Sequence, residues 1–354
     1  MNIDKTKSTT LPKLFAGIDS LSLDTRSFDP SQNDIEHICR FFYLGKLKSY
    51  EKEKGITISH SNFFVFVATT HGQFALKFYP ADHAKTIATE YAINRFLIGR
   101  GFPTPAMCTG RNGYPSFAGN DRLAACFSYI DGVQAWQHIK KRNTIHRINA
   151  AMLSLKNNLS TARDHIPFSK QENFTTMANA VSRASRAAAS YDQKKMVEAS
   201  LQDACRAFKD HQPLFKRQWL HNNSTLTNFL IKDETVYTLD LSHIREDYIL
   251  SDLAALVISC LFLDTPRTVI KNIVDNYFTQ HKIKKDLMIV LNVLVKIGLI
   301  KEYLKNVQRE HSMDFSNDPQ GQDVSKAYLF HLKVRKKLIT AVLNKMSNAN
   351  FIFG

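Results

Sequence analysis

The sequence predicts a two-lobed α+β protein, a small antiparallel sheet followed by a larger, mainly helical part. Three observations predict it. Residues 40–80 alternate in the manner of strands, and further short strand candidates run to about 130. After about residue 135 the spacing becomes helical and rich in Ala, Leu and Met. A lone strand–turn–strand stretch at 218–242 interrupts those helices.

The elements follow in order. Residues 1–35 form an N-terminal extension, and the first thirty or so, rich in Ser, Thr, Asp and Lys, read as a loose arm. The first lobe covers 36–130. "NFFVFVATT" (Asn62–Thr70) is β-branched and aromatic, His71-Gly72 turns the chain, and "QFALKFY" (Gln73–Tyr79) alternates. The pair reads as a hairpin, stopped by Pro80 because proline cannot extend a hydrogen-bonded ladder. "HAKTIATEYAINRFLIGRG" (His83–Gly101) is a helix ended by Gly101 and Pro103. "YPSFAG" and "DRLAACFSYIDG" are two more short strands, the second closed by Asp131-Gly132. The second lobe, 131–354, carries helical spacing at 143–165, 171–190, 193–211, 251–264, 266–280, 285–306 and 323–347.

Composition narrows the function classes. Lys plus Arg number 47 against 32 for Asp plus Glu, a formal charge of +15. Such an excess attracts anions such as nucleotides, phosphorylated metabolites or nucleic acid. No interleaving of aromatic and basic residues, RNA-binding signature or zinc finger supports nucleic acid. The most apolar run, Leu287–Ile300, is broken by Asn292 and Lys296, so no membrane span is expected. "MNIDKTKSTTLPKLF" has no apolar leader core. Cys39, Cys108, Cys126, Cys205 and Cys260 are odd in number and form no C-x-x-C pair. Free thiols in a reducing cytoplasm are expected, with no zinc site.

The most informative stretch is "WLHNNSTLTNFLI" (Trp219–Ile231). Between Leu220 and Phe229 it holds the side-chain amides of Asn222, Asn223 and Asn228 and the hydroxyls of Ser224, Thr225 and Thr227, and no acid. Upstream, Lys77 sits mid-strand between Leu76 and Phe78, and Glu90 follows inside the next helix. Downstream, Asp240 ends the strand "VYTLD". Each residue alone has a plain reading: an edge-strand lysine, a solvated helix acid, a turn aspartate. Their order is more specific. Phosphoryl transfer needs a cation on the nucleotide phosphates, an anion to hold that cation, oxygen ligands for Mg²⁺ and a group that orients the attacking hydroxyl. In kinases a strand Lys, a helix Glu, a loop H-x-D-x-x-x-x-N and an Asp on a short strand occur in this order. "HNNSTLTN" puts His221 first, Asn223 third and Asn228 eighth, and Asp240 lies 12 residues beyond Asn228.

This set resembles the protein-kinase-like fold of small-molecule phosphotransferases: aminoglycoside phosphotransferases, choline kinases and the homoserine kinases of that fold. The likeness runs from about Gly45 to Leu263. "GITISHSNFFVFVATTHGQFALKFY" is similar to the family's nucleotide-loop hairpin and lysine strand. "EYAINRFLIGRGFPTP" resembles its glutamate helix, "CFSYIDG" its hinge, and "VYTLDLSHIREDYILSDLAAL" its metal-aspartate strand and following helix. The resemblance implies a bilobal kinase-like fold that binds ATP and Mg²⁺. Lys77 would hold the phosphates, with Glu90 fixing its ammonium. Backbone amides of Gly55–Asn62, including Gly55, Ser61 and Asn62, would lie over the phosphates. The hinge backbone of Phe127–Tyr129 would meet the adenine. Asn228 and Asp240 would bind Mg²⁺, His221 would brace the loop, and Asp252 would orient it.

One position departs from the family. The third loop residue, an Asp that accepts the hydroxyl proton, is Asn223 here. An amide has no titratable acceptor near neutral pH, yet its carbonyl oxygen can still orient a hydroxyl. Two functions stay open. One is a slowed kinase acting on a small alcohol, with Ser224 or His243 as alternative bases. The other is a nucleotide-binding pseudokinase serving as sensor or platform. Retention of Lys77, Glu90, Asn228 and Asp240 favours nucleotide and metal binding in both. A polycationic aminoglycoside needs clustered carboxylates, and the basic helical lobe offers few beyond Glu246-Asp247. A homoserine-like or other neutral to anionic alcohol fits that charge better.

Overall fold

The computed structural model describes residues 30–52, 63–119, 122–162, 166, 179, 182, 191–312 and 333–343. Gly55, Ser61, Asn62 and nearly all of the helix expected at 171–190 lie outside these residues.

The first lobe is a five-stranded antiparallel sheet: β1 (Leu47–Lys52), β2 (Phe63–Thr69), β3 (Gly72–Pro80), β4 (Phe117–Gly119) and β5 (Arg122–Ser128), ordered β1-β2-β3-β5-β4. Alternation gives the sheet two faces with different roles. Val65, Val67, Leu76, Phe78, Ala124 and Cys126 point one way and are buried. They pack under α1 (Gln32–Phe41), which contributes Ile35, Ile38 and Cys39. The sequence reading names no helix here. Its start is a capping box, in which Ser31 Oγ accepts from the Asp34 N–H and Asp34 Oδ2 accepts from the Ser31 N–H.

The other face carries Lys77. Cross-strand partners share a face, and Lys77 pairs with Phe64 on β2 and Ala125 on β5, while Ala75 pairs with Phe66 and Phe127. Toward the Tyr79 end this face is covered: α2 (Ala84–Gly99) lays Ile87 against Tyr79, Leu123 and Ala125. Toward the Phe66 end it stays open. Asn94 of α2 fixes the cover by donating to the Pro105 carbonyl and accepting from the Met107 N–H, each at 2.8 Å.

The second lobe is helical: α3 (Arg142–Ala162), α4 (Tyr191–Asp210), α5 (Ser251–Phe262), α6 (Arg267–Gln280), α7 (Met288–Ser312) and a helical segment at 333–343. Their apolar faces form one large core. Short strands carry the site-bearing loops. β6 (Val133–Gln134) pairs with β8 (Phe229–Lys232), and β8 with β9 (Thr235–Thr238). β7 (Arg217–Leu220) pairs with β10 (Arg245–Tyr248). The lobes are joined where Ile93 and Leu97 of α2 pack with Leu155 and Leu159 of α3 and with Leu241 and Ile244. No helix among the described residues is long and apolar enough to cross a membrane.

Candidate active site

The site is built on three supports: strand β3, helix α2 and the loop between β7 and β8 with the turn after β9. Lys77 is 2% exposed, and its ammonium lies 2.6 Å from Asp240 Oδ1 and 3.6 Å from Glu90 Oε2. These three residues, scattered through the sequence, therefore meet at one point. Burial disfavours the Lys77 charge, but the two carboxylates outweigh it and raise its pKa, so the ammonium persists. Asp240 shows the mirror balance. Burial works against its charge, while Lys77, His243 and the hydrogen bonds from Lys77 and Ser242 hold its carboxyl well below the usual range.

Asp240 is held by more than Lys77. Ser242 Oγ donates to Oδ1 at 2.6 Å, the Asn223 amide donates to Oδ2 at 3.3 Å, and His243 Nε2 lies 3.5 Å from Oδ2. Its backbone has φ of 55°, a left-handed conformation uncommon for an aspartate. Strain of this kind persists where surrounding contacts over-determine it, and clusters at functional sites.

The loop itself is braced from beneath. His221 is fully buried; its Nε2 lies 2.8 Å from the Leu239 carbonyl and its Nδ1 accepts from the Asn223 N–H at 3.2 Å. That pairing requires the neutral ring protonated at Nε2, and burial lowers its pKa in the same sense. Asp252, at the start of α5, accepts the backbone N–H of His221 at 3.1 Å and of Asn222 at 2.7 Å. Asn222 takes the left-handed turn position, with φ of 62°. Asn228 Nδ2 donates to the Asn223 carbonyl at 2.7 Å. The amide of Asn228 thus has its nitrogen committed, and among the described residues its Oδ1 takes no hydrogen bond.

Of the alternative bases, Ser224 is buried at 1% exposure, whereas His243 stands beside Asp240. At the hinge, the Ser128 N–H donates to the Ala106 carbonyl and the Tyr129 N–H to the Gln73 carbonyl. Both groups are therefore engaged within the lobe. The side chains are more open: Phe66 and Tyr129 meet edge to face with centroids 5.8 Å apart, at 36% and 38% exposure. A cleft of about 840 Å³ opens beside them, lined by Ser49, Glu51, Ala68 and Gln73 among others.

Tyr79 escaped the sequence reading. Its hydroxyl donates to Glu90 Oε2 at 2.6 Å, the same oxygen that Lys77 approaches, and its ring centroid lies 4.6 Å from the ammonium. The signal was present in the alternation of β3, since residue i+2 shares a face with Lys77. Burial pushes the Tyr79 phenol far above its usual range, so it stays a donor. Tyr79→Phe is expected to leave a buried carboxylate oxygen short of one donor, at about 1.5–3 kcal/mol for a hydrogen bond to a charged group. Chemical denaturation should show that loss; an unchanged midpoint would mean that Tyr79 holds nothing.

Comparison with known proteins agrees with this geometry. The model of the phosphotransferase enzyme family matches residues 53–284. No curated protein matches the chain by sequence. Among solved structures, an amicoumacin kinase in complex with AMP-PNP, Ca²⁺ and Ami is similar, with a TM-score of 0.65 at 11% identity, over 88% of this chain and 93% of that one. An aminoglycoside phosphotransferase from Alicyclobacillus acidocaldarius has a TM-score of 0.61 at 13% identity, over 92% and 99%. A choline kinase from Cryptosporidium parvum has 0.55 at 14% identity, over 92% and 100%. At such identities the structures establish the two-lobed, protein-kinase-like fold. The family model covers well over half of the sequence, and the chain belongs to the phosphotransferase enzyme family of small-molecule kinases.

Proposed function

We propose that the protein transfers the γ-phosphoryl group of Mg-ATP to a hydroxyl of a small neutral or anionic molecule, homoserine-like in chemistry, at a rate limited by Asn223. The observation that carries this reading is the meeting of Lys77, Glu90 and Asp240 at ion-pair distances, beside a loop whose Asn228 amide oxygen is uncommitted. Similar folds are described as kinases or phosphotransferases of amicoumacin, spectinomycin and choline, some holding AMP-PNP or ADP.

The donor set fits a hard divalent cation. Asp240 offers a carboxylate and Asn228 an amide oxygen, the ligand types that Mg²⁺ takes alongside retained waters. Bound Mg-ATP supplies the transferable phosphoryl group and a divalent charge that offsets the phosphates. Lys77 then serves the phosphates, and Glu90 with Tyr79 keeps its ammonium aimed. Phe66, Ala75 and Phe127 share the Lys77 face, Tyr129 packs edge to face on Phe66, and together they offer an apolar bed for the base.

In this reading Asn223 gives the loop its role toward the acceptor. Facing a carboxylate, its amide must present NH₂ to Asp240 Oδ2. Its Oδ1 then turns to the other side, where it accepts the hydrogen bond of a substrate hydroxyl. Transfer would join that hydroxyl oxygen to the γ-phosphorus of bound ATP and break the bond to the β-phosphate oxygen; with an amide at position 223, the hydroxyl proton would go to solvent rather than to a carboxylate. Phosphoryl transfer through a loose transition state depends mainly on positioning and charge, so this arrangement retains turnover. The charge of the acceptor follows from the acids near the loop. Asp247 is buried, and Glu246 lies 4.0 Å from Arg217, so neither offers the open carboxylate cluster a polycation needs.

The test is thermal denaturation with ATP, with and without Mg²⁺, followed by labelled ATP on a panel of small alcohols. A rise in Tm that needs both ATP and Mg²⁺, and label transfer to a neutral or anionic alcohol, is expected. No shift in either condition overturns the nucleotide reading. A shift without transfer to any alcohol supports instead a nucleotide-binding pseudokinase, the reading favoured by the amide at position 223.

A further inference from the structure

We propose that Cys108 and Cys126 form an oxidisable dithiol that closes to a reversible disulfide, with Cys108 as the thiol that reacts first. The sequence separates them by a strand and a turn, and their spacing matches no redox motif. The fold puts them together. Met107 and Phe127 form an antiparallel bridge, which places the next pair, Cys108 and Cys126, directly opposite each other on the same face. The Cys108 N–H donates to the Cys126 carbonyl at 2.8 Å, which holds the two segments together at this pair. Opposed residues of antiparallel strands have Cα atoms about 4.5–5.5 Å apart. A disulfide needs about 4.4–6.8 Å, so closure asks for no backbone rearrangement.

The surroundings distinguish the two sulfurs. Cys126 is fully buried on the α1 side of the sheet, while Cys108 is half-buried and reaches solvent. The neighbouring Cys126 side chain lowers the Cys108 pKa against the opposing effect of burial, which favours the thiolate at the less buried of the two cysteines. The other cysteines are shifted the opposite way. Burial pushes Cys39 up to about 11 and Cys260 to about 12, and also raises Cys205. Cys39 lies in the same core cluster, but among the described residues no group of three His, Cys, Asp or Glu side chains is arranged to hold a metal. Two thiols opposed across an antiparallel bridge support two-electron oxidation to a disulfide.

With hydrogen peroxide as oxidant, the Cys108 thiolate attacks one peroxide oxygen, the O–O bond breaks, and the departing hydroxide takes up a proton as water. Cys108 is then a sulfenic acid. The Cys126 thiol attacks that sulfur, the S–O bond breaks, and a second water leaves with the Cys126 proton. Two thiols are oxidised to one disulfide, and the peroxide is reduced to two waters.

The experiment treats the full chain with hydrogen peroxide, alkylates the remaining thiols and maps peptides by mass spectrometry. A Cys108–Cys126 cross-link is expected, reversed by dithiothreitol and retained in Cys39→Ala. Cys126→Ala should leave Cys108 as a sulfenic acid trapped by dimedone, because no thiol stands opposite to close on it, and in the reduced wild-type chain Cys108 should be alkylated about tenfold faster than Cys205. Oxidised wild-type chain with no link at Cys108, a bond from Cys126 to Cys39 instead, or labelling of Cys205 ahead of Cys108 would overturn the proposal. These readouts are independent of phosphotransfer.

Discussion

Asp240→Ala is expected to remove Mg²⁺-dependent nucleotide binding altogether. In the wild type, ATP with Mg²⁺ at a hundredfold excess over its dissociation constant should stabilise the fold by about 2.7 kcal/mol, a Tm rise of several degrees. In the variant that rise should vanish, because Asn228 is left as the single proposed side-chain ligand. The metal-free protein should weaken as well. Lys77 is buried, and it loses the closer of its two carboxylates, the one at 2.6 Å. Glu90 remains at 3.6 Å, which spares the full cost of an unpaired buried charge. The loss should approach that of a hydrogen bond to a charged group, about 1.5–3 kcal/mol. A variant that keeps the Mg²⁺-dependent shift would mean that the cation is held elsewhere, and Asp240 would then be only the partner of Lys77.

The same geometry explains why the site could be read from the sequence as a set and not residue by residue. Lys77, Glu90 and Asp240 each occupy an ordinary place: mid-strand, mid-helix, strand end. Only their order, and the loop spacing from His221 to Asn228, tie them to one chemistry. Their convergence depends on a tertiary contact across 163 positions, and no local pattern reports such a contact. What was missed is of two kinds. Tyr79 follows from alternation, because residue i+2 on a strand must share the face of Lys77. The pairing of Cys108 with Cys126 does not, since it rests on the register of a single isolated bridge. Helix α1 was obscured by its neighbours. Its capping box at Ser31 and Asp34 adjoins a polar stretch whose composition dominated the reading, although Ile35, Ile38 and Cys39 already mark its buried stripe.

The two faces of the first-lobe sheet give the site its asymmetry. Strands with hydrophobic residues on both faces would ordinarily be covered on both. Here α1 covers most of one face, while α2 covers only the Tyr79 end of the other. The exposed remainder holds Phe66, Gln73 and Tyr129 beside the cleft. Lys77 sits at the boundary between covered and open sheet. That position reconciles its 2% exposure with a role toward a ligand: its stem is packed and its ammonium faces the Asp240 carboxylate across the interlobe gap.

Asn223→Asp should act in opposite directions on stability and on turnover, and the combination tests the proposed role most sharply. The wild-type amide donates to Asp240 Oδ2 at 3.3 Å. A carboxylate in its place loses that hydrogen bond and sets two like charges against each other, which disfavours both being ionised. Without divalent cation the variant should therefore melt below the wild type, and the deficit should shrink when Mg²⁺ and ATP are added. On a small alcohol, the new carboxylate can accept the hydroxyl proton that Asn223 can only orient. General-base help amounts to about 10²–10⁴-fold, or roughly 3–5 kcal/mol of barrier. Labelled phosphate transfer by the variant should rise within that range, with little change in the nucleotide dissociation constant. A variant that is destabilised in chelator, rescued by Mg-ATP and no faster on any alcohol would place the weakness outside position 223 and favour the nucleotide-binding platform. Equal melting of the two proteins in chelator would overturn the contact between residue 223 and Asp240 on which the argument stands.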